Sequence, residues 1–251
     1  MSTSLLLSAS DPEPVLRHNA RGGSRVVLTC DHAGFEVPET IDLGVSEDEL
    51  RRHIGWDIGA LAVAEALADL LDAPLVAQRY SRLVIDCNRR PGVLTSIPET
   101  SDGTVVPGNL DLEHEQRRQR EAELLEPYHA AIEGLLDERG DDAVLVPVHS
   151  FTPRLADSER PWHVSLMNGE DRRLHDALLR GLRQRSELHV GDNEPYRVEP
   201  VDFTMPVHGS ERGIACSMIE VRQDLIEQDD GQERWALLLA EEIRRAVDAA
   251  L

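Results

Sequence analysis

Lysine does not occur in this 251-residue chain, so all 26 basic side chains are arginine, and they face 47 acids for a net charge of -21. A surface of that sign repels nucleic acid and anionic membranes, which excludes polyanion binding as a general role. It suits a salty cytoplasm, and drift in a GC-rich genome produces the same pattern; composition leaves both open. Cysteine is scarce too: Cys30, Cys87 and Cys216, with no C-x-x-C pair. An odd count at long spacing excludes a disulfide framework and fits a reduced compartment. No run approaches the roughly 18 apolar residues of a membrane span. The opening MSTSLLLSASDPEP has no basic stretch and only three consecutive leucines, so it does not read as a secretory leader. These absences place the expected protein in the cytoplasm, away from nucleic acid and membrane.

What is present reads as one α/β domain over residues 1–251, since no linker divides the chain. Residues 1–23 are polar and punctuated by Gly and Pro, and read as a loose arm. Apolar runs at 25–31, 74–79, 82–87, 143–148, 162–167 and 214–221 predict strands. Pro147 fits best near the end of its run. Helices are expected over 46–53, where Ser46 and Glu49 form a capping-box pattern, and over 57–72, 111–138, 171–186 and 231–250. The 111–138 helix carries a stripe at Leu125, Tyr128, Ile132 and Leu135, and Pro127 should kink or split it. Residues 90–110 and 191–213 read as loops. Strands alternating with helices predict a mainly parallel central sheet with helices on both faces.

The polar residues fall where such a sheet binds ligands. Three apolar strand runs end on His32, His149 and Glu220, and a fourth runs into Asn88-Arg89. Ligands of open α/β sheets sit outside the carboxyl ends of the strands. Two histidines plus a carboxylate make a three-ligand site with an open position, the arrangement of catalytic zinc. A glutamate outside the ligand set could act as general base, and arginines could stabilise an oxyanion or clamp a carboxylate. Each residue also has a plainer reading. Strand-end histidines are often structural, Glu220 and Arg222 share a strand face as an ordinary charge pair, and Arg82 and Arg89 would suit surface ion pairs. Cys30 and Cys87 read as packed thiols. His18, His53, His114, His175 and His189 read as solvated, and His208, in PVHGSERG, as an accessory to the site.

The ordered series CDHAGFEVP, HIGWDIGA, QRYSRLVIDCNRRPG, SIPETSDGTVVPGN, VPVHSFTP, GDNEPY and IEVRQDL resembles the N-formylglutamate amidohydrolase family over about residues 20–250. The opening Asp-His-Ala looks closer to the family's predicted-amidohydrolase branch. Locally the chain is also similar to the zinc carboxypeptidase and aspartoacylase group. That likeness implies a zinc-exopeptidase-like fold. It further implies that Asp86-Cys87-Asn88-Arg89 holds a substrate carboxylate through Asn88 and Arg89, that Arg82 polarises the scissile carbonyl, that His149 is the last zinc ligand, and that Glu220 is the general base. The peptidases take their carboxylate ligand from H-x-x-E, but position 35 here is Phe. The resemblance therefore favours Asp57, in the W-D element, over Glu36 as third ligand beside His32 and His149. Gly34 would permit the turn after His32, and Asp31 would orient an imidazole.

The expected function is hydrolysis of a small N-acyl amino acid by a one-zinc amidohydrolase, with N-formyl-L-glutamate as the substrate the resemblance implies. Two other readings stay open: a zinc aminoacylase or exopeptidase on another N-acyl amino acid or short peptide, and an idle protein that binds an acidic metabolite. A structural metal site would need four protein ligands, and no cysteine has suitable spacing.

Overall fold

Three chain segments are buried at every position: Val26–Cys30, Leu75–Gln78 and Val144–Phe151. Continuous burial without alternation marks strands covered on both faces. In the computed structural model, which describes residues 5–251, they form the middle of a seven-stranded sheet. In chain order the strands are β1 (Val15–His18), β2 (Val26–Cys30), β3 (Leu75–Gln78), β4 (Val144–Phe151), β5 (Val164–Asn168), β6 (Val190–Asp192) and β7 (Ala215–Arg222). They lie side by side as β1-β3-β2-β4-β7-β5-β6. The pairs β3–β2, β2–β4, β4–β7 and β5–β6 are parallel, while β1–β3 and β7–β5 are antiparallel. The expected mainly parallel α/β sheet is present.

Among the described residues the α-helices are α1 (Glu47–Leu50), α2 (Ala60–Leu71), α3 (His114–Arg120), α4 (Glu126–Arg139), α5 (Arg173–Arg183) and α6 (Asp229–Ala250). Successive strand residues face opposite sides, so Val27 and Leu28 enter different cores. On one face, Leu67 of α2, Leu178 of α5 and Leu239 of α6 pack on Leu28, Val146 and Ile219. On the other, Tyr128, Ile132 and Leu136 of α4 pack on Val27, Leu145 and Met218. Each fully buried side chain of this size contributes about 1.5–3 kcal/mol. The buried stripe of α4 runs through Leu136, with Leu135 only partly covered, one residue from the sequence expectation.

Several expectations are corrected. Residues 1–4 of the predicted arm lie outside the described residues, but Val15–His18 is a sheet edge paired with β3. The predicted strand 82–87 is a buried turn: the Val84 N–H donates to Ser81 O at 2.9 Å and the Arg82 N–H to Gly55 O at 3.1 Å. Leu83, Val84 and Ile85 all enter the second core. An apolar run shows burial but does not by itself distinguish strand from turn. Pro127 does not split its helix; a five-residue π turn, Glu121–Leu125, precedes it and α4 continues. A proline has no N–H to close the preceding turn, so the helix widens there. Pro147 lies inside β4, opposite Thr29, and the strand runs on through His149 to Phe151. The 191–213 stretch carries the end of β6 and a π turn at Thr204–Gly209.

Two glycines set the backbone near the sheet's carboxyl edge. Gly34 leaves room rather than bend: a Cβ there would lie 2.1 Å from the Arg79 carbonyl oxygen. Gly59, at φ 78°, starts α2 in the left-handed region, and its Cβ would meet Ile226 O at 2.1 Å. Helix α2 therefore begins at Ala60, three residues after Asp57.

Candidate active site

His149 of β4 and Glu220 of β7 are partners in the parallel ladder, so their side chains rise from one face of the sheet, side by side. His32 lies two residues beyond the end of β2. Asp57 is tied to it by the backbone, its N–H donating to His32 O at 2.9 Å. Asp57 Oδ2 lies 2.8 Å from His149 Nδ1 and 3.3 Å from His32 Nδ1, and accepts the Ser150 N–H at 3.4 Å. One ligand atom from each of His32, Asp57 and His149 lies within 4.8 Å of the others, and all three residues are buried. Glu36 is exposed and its backbone bridges Tyr80, away from this cluster.

The far nitrogens of the two imidazoles are engaged as well. His149 Nε2 lies 2.8 Å from Asp31 Oδ2, and His32 Nε2 lies 2.8 Å from Asp86 Oδ1. Asp31 thus orients His149 rather than its chain neighbour His32. Its other oxygen accepts the Tyr128 and Thr204 hydroxyls at 2.7 and 2.8 Å. Asp86 is fixed in turn by Arg82 at 2.6 Å and by the Asn88 N–H at 2.9 Å. Burial alone would lower the pKa of both histidines, but Asp31 and Asp57 hold His149 well above its ordinary value, and Asp86 and Asp57 raise His32. Two imidazole Nδ1 atoms and a carboxylate oxygen converge, with each Nε2 on its own carboxylate. That donor set fits a divalent cation held through both Nδ1 atoms, because a carboxylate behind each ring fixes its orientation and tautomer.

Glu220 stands apart from this network. It is 6% exposed, and its Oε2 has no hydrogen-bond partner. Burial pushes its carboxyl up to about 7, with Asp57 adding to the rise and His149 opposing it. The plainer reading of a Glu220–Arg222 pair fails, since Arg222 binds Asp224 at 2.7 Å. His32, Asp57, His149 and Glu220 line one cavity of about 420 Å³ together with Arg82, Asn88 and Arg89. That size suits a small molecule.

A family model described as N-formylglutamate amidohydrolase matches residues 24–227. The chain belongs to the N-formylglutamate amidohydrolase family. A solved structure of a gene product from Agrobacterium tumefaciens is 36% identical, with a TM-score of 0.93, and the match covers 97% of this chain and 98% of that one. A structure of N-formylglutamate amidohydrolase from Ralstonia eutropha JMP134 is 19% identical with a TM-score of 0.76, covering 95% and 98%. The latter likeness shows the fold. No curated protein sequence matches the chain. Membership supports amide hydrolysis and a small-molecule substrate.

In this member of the family, the arginines and the asparagine are only partly free. Arg82 is 26% exposed; burial works against its charge, but Asp86 and Asp57 hold it firmly protonated. Asn88 uses its side-chain oxygen to accept the Thr204 N–H at 3.1 Å, which leaves the amide –NH₂ to offer a ligand. Arg89 donates through Nη1 to Asp202 and to Asn88 O. The five histidines expected to be solvated divide. His175 is fully buried against Asp192 at 3.0 Å. His53 lines the cavity, with Nε2 3.2 Å from Asp102. His18 pairs with Asp69 at the surface. His208 is buried against His129 Nδ1 at 2.8 Å and does not line the cavity. All three cysteines are free and buried.

Sequence reading missed how Asp31 and Asp86 divide between the histidines. The signal was present, an aspartate inside each motif, but the pairing spans 118 and 54 residues. Asp86→Asn should weaken bound metal by about 10–100-fold while the protein stays folded. Titration with a competing chelator measures this, and unchanged affinity would show that Asp86 serves only Arg82.

Proposed function

We propose that the chain hydrolyses the amide bond of an N-acyl amino acid, N-formyl-L-glutamate foremost, to formate and glutamate, with one divalent cation, zinc, held by His32, Asp57 and His149. The observation that carries this reading is an unpartnered, buried Glu220 beside a His–Asp–His cluster in one cavity of an amidohydrolase-family member. A cation bound there supplies Lewis-acid polarisation and lowers the pKa of water. Glu220, held up to about 7 by burial, takes the proton of the attacking water and returns it to the leaving amine. Arg82, protonated and on the cavity wall, faces the negative charge that develops on the acyl oxygen. Asn88 and Arg89 receive the substrate's α-carboxylate, one through its amide –NH₂ and the other through the remaining guanidinium donors. A protein that only binds metabolites has no use for an unpaired buried carboxylate at this position, because leaving such a group without a partner is costly.

The test is formate release from N-formyl-L-glutamate by zinc-loaded and chelator-treated protein, beside N-acetyl-L-glutamate and short peptides. Release that depends on metal and favours the formyl substrate supports the reading. Preference for acetyl or peptidyl substrates replaces it with an aminoacylase or exopeptidase. No cleavage with zinc, cobalt or manganese rejects hydrolysis.

A further inference from the structure

Behind the cavity wall two buried histidines face each other, and neither lines the cavity. His129 lies on α4 and His208 in the π turn Thr204–Gly209. His129 Nδ1 is 2.8 Å from His208 Nε2, and His129 Nε2 is 2.8 Å from the Cys87 carbonyl oxygen. His208 Nδ1 is buried with no hydrogen-bond partner among the described residues. An apolar side chain would fill the same space without leaving a buried acceptor unmade. Packing alone therefore does not account for an imidazole at position 208.

The proton positions follow from the partners. Burial lowers the pKa of both rings, His208 to about 3, so near neutral pH each carries one N–H. The Cys87 carbonyl can only accept, so the His129 proton sits on Nε2. His129 Nδ1 is then an acceptor, and His208 donates to it through Nε2. His208 Nδ1 is left as the bare lone pair, the atom found without a partner. The bonds run one way, from His208 through His129 to Cys87.

What they hold is the peptide between Cys87 and Asn88. A trans peptide points its C=O and N–H in opposite directions. Here the C=O meets His129, and the N–H donates at 2.9 Å to Asp86 Oδ1, the oxygen that lies 2.8 Å from His32 Nε2. The chain around His208 also grips Asn88 directly. The Phe203 N–H donates to Asn88 O at 3.2 Å and the Thr204 N–H to Asn88 Oδ1 at 3.1 Å. The Phe203 ring centre lies 3.9 Å from that of His129. Asn88 is thus fixed through main chain and side chain, with its –NH₂ left to the cavity that it lines.

We propose that His208 and His129 are positioning residues, a one-way hydrogen-bond relay that sets the Cys87–Asn88 peptide and so aims the Asn88 amide at the substrate's α-carboxylate. The inference rests on the hydrolase reading above, which puts that carboxylate at Asn88 and Arg89, and adds control of its binding from behind the wall. The relay touches no reacting atom, so it acts on substrate affinity and not on the chemical step.

The experiment measures kcat and KM of the zinc-loaded full chain on N-formyl-L-glutamate and on N-formyl-L-isoglutamine, which carries a carboxamide in place of the α-carboxylate. His208→Leu should raise KM for the first by about tenfold, the loss of about one hydrogen bond, with kcat nearly unchanged. It should weaken the second far less, because a neutral amide gains less from Asn88 than a carboxylate does. His208→Gln, which returns an N–H at the place of Nε2, should restore KM. A fall in kcat at constant KM, or equal weakening of both substrates, overturns the inference and leaves the hydrolase reading standing. Nitrogen NMR of the imidazoles gives a readout apart from turnover: wild type should show His129 and His208 as neutral Nε2–H tautomers, and an Nδ1–H form of His129 overturns the relay. If no formyl amino acid is cleaved, the hydrolase reading falls, and calorimetry with uncleaved N-formyl-L-glutamate decides. Binding weakened by His208→Leu and restored by His208→Gln keeps the relay; equal or absent binding ends it. If His208→Leu does not fold, His208→Asn, whose shorter amide does not reach His129, takes its place.

Discussion

Glu220→Gln should lower kcat of the metal-loaded enzyme by about 10³-fold, within the range a general base supplies, with bound metal and KM nearly unchanged. The substitution keeps shape and one oxygen but removes the proton acceptor. Nothing in the fold depends on the lost charge, since Glu220 Oε2 has no partner and Arg222 is bound elsewhere. The buried carboxylate is disfavoured by burial and by Asp57, so the neutral amide should leave the melting temperature equal or higher. Three measurements separate the alternatives: turnover, metal content by mass spectrometry, and melting. Loss of turnover at constant metal identifies the proton carrier. Loss of metal together with turnover would assign Glu220 to the cation instead. Turnover within tenfold of wild type would remove it from the mechanism.

The strand ends were legible because burial on both faces demands continuous apolar runs. A histidine or glutamate interrupting such a run announces itself, as His32, His149 and Glu220 do. The cap of α1 was legible residue by residue: Ser46 and Glu49 exchange hydrogen bonds over three positions. What was hidden depends on the third dimension. The run at 82–87 is as apolar as any strand, yet its N–H groups find turn and loop carbonyls, and no local periodicity records that. Asp31 beside His32 suggested a pair, but neighbouring residues on an extended chain point apart, and Asp31 reaches across to His149.

Asp57→Asn should weaken metal binding by more than about 100-fold, beyond the loss expected for partners that touch only the imidazoles, and activity should fall with it. Asp57 Oδ2 lies 2.8 Å from the Nδ1 of His149 and 3.3 Å from that of His32. Burial works against the charge, but His32 and His149 hold this carboxyl far below the usual carboxylate range. Asparagine preserves the volume and the backbone bond to His32 O. It replaces a full negative charge with a neutral amide, whose –NH₂ can meet neither a cation nor a protonated imidazole. The fold should survive, because the bend ahead of α2 is set by Gly59 and by main-chain bonds rather than by this side chain. The companion variant is Glu36→Gln, at the exposed position that the H-x-x-E pattern brings nearest to mind. It should leave metal content unchanged. Equilibrium dialysis of both variants against buffered zinc measures the difference. Metal retained by Asp57→Asn and lost by Glu36→Gln would move the third ligand to Glu36, and would require the chain after β2 to rearrange when the cation binds. Metal lost only by Asp57→Asn places the carboxylate ligand where the two imidazoles already converge.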